Sequence, residues 1–303
     1  MFDSVDFVDK LIEKLFRLLG LIPRKWAFRL SNCLGHFLYL VDKKHREIVL
    51  NNLTRAFARE KNRYEIKMLA KQVFKNALKI VFEIGWSLNL DEKRLMEYFS
   101  IEGRSHIKNA YEEGQGVLVL TGHFGNWELL SVIGAMLAYP LSVLYRPLDF
   151  KPLDRFFVKL RTRFGGNLIP LKRSMFAILK SLGRGEMVVL LMDQNVDWYE
   201  GVFVEFMGHR ACTNKGLALI ALKTKAPVIP AFLVRENGGF TAKFLPEIPL
   251  IMTGDTTRDI EDNTRQYNQV IESFLRRYPD QWFWLHQRWK TRPYQPWPRE
   301  PEK

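Results

Sequence analysis

The stretch with the most chemical content is Gly122-His123-Phe124-Gly125-Asn126-Trp127-Glu128, a histidine with an acid five residues on. Imidazole, with an unperturbed pKa of about 6.5, can take a proton near neutral pH. A carboxylate beside it fixes the tautomer and stabilises the imidazolium that forms. A spacing of five does not put two side chains on one face of a helix. The pair His123 and Glu128 therefore works only if His123 sits in an entering loop, Gly125 makes the turn and Glu128 begins the helix. Without such a loop, a lone histidine of this kind is a structural residue. No Ser or Cys nucleophile stands next to His123, which favours general-base catalysis without a covalent enzyme intermediate.

A second group of residues has types suited to substrate binding. Arg146 carries a fork that matches phosphate or an oxyanion; its alternative is an ion pair with Asp149 or Asp193. Asp193 and Gln194 either position a substrate or close a turn after a strand. Glu205 and Gly208 complete the candidate set together with Arg288, which lies between Trp284 and Trp289 and can bind phosphate, stack or simply pack. No third ligand at a recognisable spacing joins His123 and Glu128, so no metal site and no cofactor are expected. Cys33 and Cys212 are far apart and read as buried small hydrophobes.

These residues need a scaffold. Apolar, β-branched runs at 116–120, 141–145, 187–192 and 227–234, with a fifth at 240–244, read as strands. Helical patterns fall between them at 128–138, 152–164, 174–183, 214–224 and 258–277. Strands alternating with helices predict an α/β fold, a mixed, mostly parallel sheet flanked by helices. In such sheets the site lies at the carboxyl ends of the strands. His123, Arg146 and Asp193 each follow a predicted strand by one to three residues. Ahead of this core the spacing predicts helices over 5–22, 25–41, 43–57 and 64–88. The expected organisation is an all-helical, membrane-facing region over 1–100, which could equally be a packed helical layer. An α/β core follows over 101–292, then a Pro-rich extended tail over 293–303, and the whole can form one continuous domain.

The 303 residues carry a formal charge of +13, which calls for an anionic partner. Residues 141–190 hold ten Lys or Arg against three acids, about half of that surplus. Within them, 152–164 forms a basic amphipathic pattern, with Arg155, Lys159 and Arg163 flanking Phe156, Leu160 and Phe164. That is either an interfacial helix or a core-packed helix with a solvated basic face. No run of eighteen apolar residues is present to span a bilayer, and Asp3, Asp6 and Asp9 replace the basic start of a signal peptide. The expected location is therefore cytoplasmic, with any membrane contact peripheral. Nucleic acid is not the expected partner, because no finger, helix-turn-helix or aromatic RNA-binding signature is present.

The ordered motifs resemble a known family. Gly122 to Glu128 is followed by Tyr145-Arg146-Pro147, Asp193-Gln194-Asn195, the segments 204–208 and 211–213, the segment 226–230 and the tail block 282–289. This set is similar to the bacterial lipid A late acyltransferases, the lauroyl and myristoyl transferases of the lysophospholipid acyltransferase superfamily. Members commonly begin with a membrane-spanning helix, whereas residues 5–22 are punctuated by charge, which implies peripheral anchoring. Met207 stands where the family often has Phe, a change that could alter an acyl pocket.

The resemblance implies an acyltransferase at the cytoplasmic face of the inner membrane. His123 and Glu128 would be catalytic, the donor acyl carrier protein or acyl-CoA, and the acceptor an anionic membrane lipid, a lipid A precursor before other glycolipids or lysophospholipids. The rival readings are a thioesterase or lipid hydrolase using the same pair, and a membrane-binding protein without catalysis.

Overall fold

The structure is a computed structural model that describes residues 3–293. Four helices come first: α1 (Asp3–Gly20), α2 (Arg24–Val41), α3 (Lys43–Phe57) and α4 (Arg63–Leu88). Then come α5 (Glu92–Met96), β1 (Phe99–Glu102), α6 (Arg104–Glu112) and β2 (Val117–Thr121). A 3₁₀ turn, Trp127–Leu129, leads into α7 (Leu130–Leu137), β3 (Leu141–Tyr145), α8 (Lys151–Thr162), β4 (Asn167–Pro170), α9 (Met175–Leu182) and β5 (Met187–Leu191). A hairpin of β6 (Gly201–Phe206) and β7 (His209–Asn214) follows. After it come α10 (Gly216–Thr224), β8 (Val228–Glu236), β9 (Gly239–Phe244) and α11 (Thr256–Arg277). The Pro-rich tail expected over 293–303 lies, beyond Pro293, outside the described residues.

The mixed, mostly parallel sheet expected from the sequence is the one the chain forms. Seven strands lie in the order β1-β9-β8-β2-β5-β3-β4. From β8 to β4 all neighbours are parallel; β9 runs antiparallel to β8 and carries β1 parallel to itself at the edge. All five residues of β2 are buried, because helices cover both sheet faces. Leu118, Leu120, Val188 and Leu190 join a core shared with α3, α4, α10 and α11, whereas Val117, Val119, Met187 and Val189 join one shared with α6 and α7. The strands missed in the sequence are short and carry weak patterns. Exposed β4 has Asn167 and Pro170 at its ends, and the β6–β7 hairpin stands apart from the main sheet.

The helical region divides by depth. Helix α4 opens with a capping box, in which Asn62 accepts from the Tyr64 and Glu65 N–H groups and Glu65 accepts from the Asn62 N–H. It buries Ile66, Ala70, Val73 and Phe74 in the sheet's own core. Helix α2 buries a small-residue face, Ala27, Ser31 and Gly35, on α4. A Cβ at Gly35 would stand 2.6 Å from the Lys75 Cα, so the helices cross at backbone contact. The bulky apolar residues of α2, among them Trp26, Leu30, Leu34 and Phe37, face outward, as do Phe7, Leu11, Leu15 and Leu18 on α1. Cys33 is exposed on α2, against the expectation that both cysteines are buried, while Cys212 is buried. Among the described residues no helix is long and apolar enough to cross a membrane.

Helix α8 is core-packed. Its Phe156 and Leu160 join Ile84 and Leu88, with Ile12 and Phe16 packed against them. Its arginines are spent inside the fold: Arg155 forms a two-bond pair with Asp9 at 2.6 and 2.7 Å, and Arg163, just past the helix, donates to the Ser87 and Leu90 carbonyls. The interfacial reading of this helix is thereby corrected, since its basic side chains satisfy neighbouring elements.

Candidate active site

Strands β2 and β5 pair in register with Thr121 opposite Leu191, so two residues further on His123 and Asp193 arrive side by side. The imidazole Nδ1 lies 2.8 Å from Asp193 Oδ1, and the His123 backbone N–H donates to Oδ2 at 2.8 Å. The indole Nε1–H of Trp282 donates to the same Oδ2 at 2.6 Å. Asp193 is completely buried. Burial by itself pushes its carboxyl up; the adjacent His123 ring and the N–H donors outweigh this and hold it well below the usual carboxylate range. An ionised carboxylate only accepts, so Nδ1 carries the proton and Nε2 is left with its lone pair free to accept one. The His123 side chain is 19% exposed, which opens the ring to a reactant.

Two glycines permit this approach. A Cβ at Gly122 would stand 3.0 Å from Asp193 Oδ2. Gly125 has φ +55° and a Cβ there would stand 2.4 Å from the Leu233 carbonyl oxygen, so the turn requires glycine. The segment after α11 clasps the loop from the other side. Phe124 and Trp282 form an antiparallel bridge, Gly125 N–H donates to Gln281 O at 3.0 Å, and Phe283 N–H donates to His123 O at 3.0 Å. Beneath the turn, buried Asn126 donates to Glu83 at 3.0 Å, and Glu83 is ion-paired with Arg235. Trp127 meets the imidazole edge-on at 5.0 Å, with Phe283 beside both, so the ring sits in an aromatic wall.

Glu128 lies in the first helical turn, as expected, but its partner is not His123. It sits buried in the 3₁₀ turn, and its carboxylate accepts two bonds from Arg161 of α8 at 2.8 Å each and one from the Trp127 indole at 2.9 Å. The carboxylate against His123 is that of Asp193. Arg161 went unrecognised in the sequence because nothing in its spacing links it to Glu128. The Asp193 pairing did leave a signal: β2 and β5 are apolar runs of equal length, and His123 and Asp193 each follow their run by two.

The other candidates separate. The Gln194 amide lies 3.4 and 3.5 Å from the two imidazole nitrogens, so Gln194 joins the site. Arg146 is exposed at the end of β3, and it pairs with neither Asp149 nor Asp193, whose oxygens go to His123 and Trp282. Glu205 and Gly208 lie on the β6–β7 hairpin and line a separate open cleft with Arg55, Arg59 and Arg276, whose walls include none of His123, Asp193 or Gln194. Arg288 is completely buried. It donates to the Cys212 carbonyl at 2.9 Å and to Thr213 Oγ1 at 2.6 Å and stacks on Phe206, and burial pushes its pKa down to about 10. Its position is that of a packing residue behind the hairpin. His286, unremarked in the sequence, hydrogen-bonds the Phe283 carbonyl through Nδ1, and burial pushes it down to about 4, so it is neutral.

The family model described as bacterial lipid A biosynthesis acyltransferase matches residues 6–291. A lipid A biosynthesis acyltransferase of Haemophilus influenzae is 28% identical over 275 residues, covering 91% of this chain and 85% of that protein. The lipid A biosynthesis palmitoleoyltransferase of Escherichia coli is 27% identical, covering 83% and 80%. A phosphatidylinositol mannoside acyltransferase of Mycolicibacterium smegmatis is 26% identical, covering 66% and 65%. With nearly every element from α1 to the clasp behind His123 inside the matched span, the chain belongs to the bacterial lipid A biosynthesis acyltransferase family.

Proposed function

We propose that the protein transfers a fatty acyl chain from a thioester donor, acyl carrier protein or coenzyme A, to a hydroxyl of a lipid A precursor. The observation that carries this reading is the His123–Asp193 pair at the carboxyl ends of β2 and β5, with Nδ1 engaged by the carboxylate and the ring partly exposed. The acceptor hydroxyl gives its proton to Nε2 as its oxygen attacks the thioester carbonyl. The tetrahedral adduct collapses with cleavage of the C–S bond, and the proton passes from Nε2 to the leaving sulfur. Asp193 holds the ring and offsets the imidazolium charge, and proton transfer of this kind is worth roughly 10²–10⁴-fold in rate. Glu128 and Arg161 hold the loop in shape. Gln194 borders the imidazole and positions a reactant there.

The protein works from the cytoplasmic face of the inner membrane. Helices α1 and α2 turn their bulky apolar rows outward while α2 turns its small residues inward, the reverse of a helix whose main partner is its own protein core. The net charge of +13 suits an anionic leaflet and an acidic carrier protein. A different glycolipid is the second acceptor to consider, because the phosphatidylinositol mannoside acyltransferase matches over 203 residues.

The test is acyl transfer from labelled acyl carrier protein to a tetra-acylated lipid A precursor in detergent, comparing wild type with His123→Ala. Product from wild type, reduced at least about 10³-fold in the variant, supports the reading. Free fatty acid released without acceptor points instead to hydrolysis, and product formed equally by both removes His123 from catalysis.

A further inference from the structure

The turn that follows His123 is tied down by residues whose hydrogen bonds go to neither the imidazole nor Asp193. Glu83 of α4 is 2% exposed and accepts from both Nε and Nη2 of Arg235 near the end of β8, the latter at 2.8 Å. The Arg235 backbone holds the Gln281 side chain twice: its N–H donates to Oε1 at 2.8 Å, and its carbonyl accepts from Nε2 at 2.9 Å. The Gln281 carbonyl accepts from the Gly125 N–H at 3.0 Å, and Asn126 donates through Nδ2 to Glu83 Oε2 at 3.0 Å. Glu83, Arg235, Gln281, Gly125 and Asn126 thus close a ring of bonds under the turn. On the same face of α4, Asn76 donates to Asp280 at 2.7 and 2.9 Å, and the Ile80 carbonyl accepts from Asn126 at 3.3 Å.

Stability alone does not account for these residues. A buried ion pair adds little over apolar side chains of similar volume, so the fold has no need of one here. Asn126 is fully buried, yet its Oδ1 has no hydrogen-bond partner among the described residues. An unsatisfied buried acceptor costs stability, and what the residue supplies in return is the Nδ2–H bond to Glu83. The placement agrees. Asp193 fixes His123 from the β5 side through Nδ1 and the backbone N–H, and Phe283 holds the His123 carbonyl from the clasp. Glu83 holds the remaining side, from α4, where the chain turns away from the sheet.

We infer that Glu83, Asn126 and Arg235 are positioning residues, which act through the turn to set the angle at which the His123 ring meets the reacting hydroxyl. The inference rests on the acyltransferase reading for the reaction and on the ring of bonds for the residues. Linked hydrogen bonds in a low-dielectric interior reinforce one another, so removing one member loosens the rest. A displacement of about 1 Å at a reacting group costs on the order of 10²-fold in rate. Substrates held by other groups keep their affinity, so the effect falls on kcat and leaves KM in place.

The experiment measures kcat, KM for donor and acceptor, and the urea midpoint of wild type, Asn126→Ala, Arg235→Lys and Asn263→Ala. Asn263 is fully buried and makes three side-chain bonds, to Ile251 and Asp259, outside the ring, so its variant controls for lost stability alone. Asn126→Ala is expected to lower kcat about 10²-fold with each KM within about twofold. Arg235→Lys keeps the charge but not the two-bond geometry, and lowers kcat about tenfold. Asn263→Ala lowers the urea midpoint and leaves kcat unchanged. Wild-type kcat in Asn126→Ala overturns the inference, as does a kcat loss that Asn263→Ala reproduces at the same urea midpoint. If Asn126→Ala does not fold, Arg235→Lys is judged by the same two criteria. NMR of ¹⁵N-histidine-labelled protein reads the imidazole without turnover, the His123 signals being those lost in His123→Ala. Wild type is expected to hold His123 as the single Nδ1–H tautomer and Asn126→Ala to show both; identical spectra overturn the inference. A tautomer difference in a wild type that makes no product keeps the positioning role and overturns the acyltransferase reading instead.

Discussion

Asp193 and Glu128 lie on opposite sides of one loop and spend their oxygens differently. On the Asp193 side every bond converges on the imidazole or on the group that holds it: His123 Nδ1, the His123 N–H and the Trp282 indole. On the Glu128 side the oxygens are taken by Arg161 of α8 and by Trp127. One carboxylate meets the imidazole and the other meets an arginine of α8, although the second is nearer to His123 in sequence. Proximity along a strand-to-helix turn is thus a poorer guide to which side chains meet than proximity across a parallel sheet, where neighbouring strand ends deliver their residues to the same level.

The comparison predicts that the two carboxylates fail in different ways when altered. The largest effect is on rate: Asp193→Asn places an amide against Nδ1, favours the wrong tautomer and lowers kcat by about 10²–10⁴-fold, with circular dichroism unchanged. A variant retaining wild-type kcat would remove Asp193 from the proposed role. Next, Glu128→Ala leaves the half-buried Arg161 guanidinium without its partner and lowers unfolding free energy by about 3 kcal/mol, read by urea denaturation. Replacing the pair together, Glu128→Leu with Arg161→Met, recovers much of that stability. If Glu128→Gln lost rate as steeply as Asp193→Asn at full stability, the division between the two sides would break down.

The wall behind Asp193 gives two smaller effects. The folded protein keeps His286 neutral down to about pH 4, whereas the unfolded chain takes up the proton near pH 6.5. The unfolded state therefore binds more protons between these values, so stability falls as pH is lowered from 6.5 to 4, by about 2 kcal/mol. His286→Asn flattens that part of the stability–pH curve, and a curve identical to wild type would contradict the assignment. Trp282→Phe keeps the aromatic contacts but removes the donor to Asp193 Oδ2, and kcat is expected to fall about tenfold. The same variant should leave binding of the acyl acceptor unchanged, since the indole lies behind the carboxylate and is buried.

Much of this architecture was legible in the residues. The four leading helices and the five long apolar runs appear within a few residues of their expected bounds, because burial on both sheet faces leaves an apolar signature that neighbours cannot disguise. His123, Asp193 and Gln194 were marked by their place just after such runs, and they do meet. Short β4 and the β6–β7 hairpin were not legible, since alternation over four to six residues is easily masked by exposed polar positions. The basic helix α8 was legible as amphipathic but not as to its partners. A pattern shows which face is apolar, and it does not show whether Asp9 or a lipid phosphate waits beside the arginines.

The amino-acid sequence by itself determined the order of helices and strands, the loop that carries His123 and the glycines that loop requires, because these follow from local sterics and periodicity. Only the tertiary structure decided which carboxylate meets the imidazole, which arginines are taken up in ion pairs and why Arg288 is buried. Those outcomes depend on strand register and on contacts between residues 33 to 146 positions apart, and such pairings cost chain entropy that only the cooperative packing of the whole core offsets.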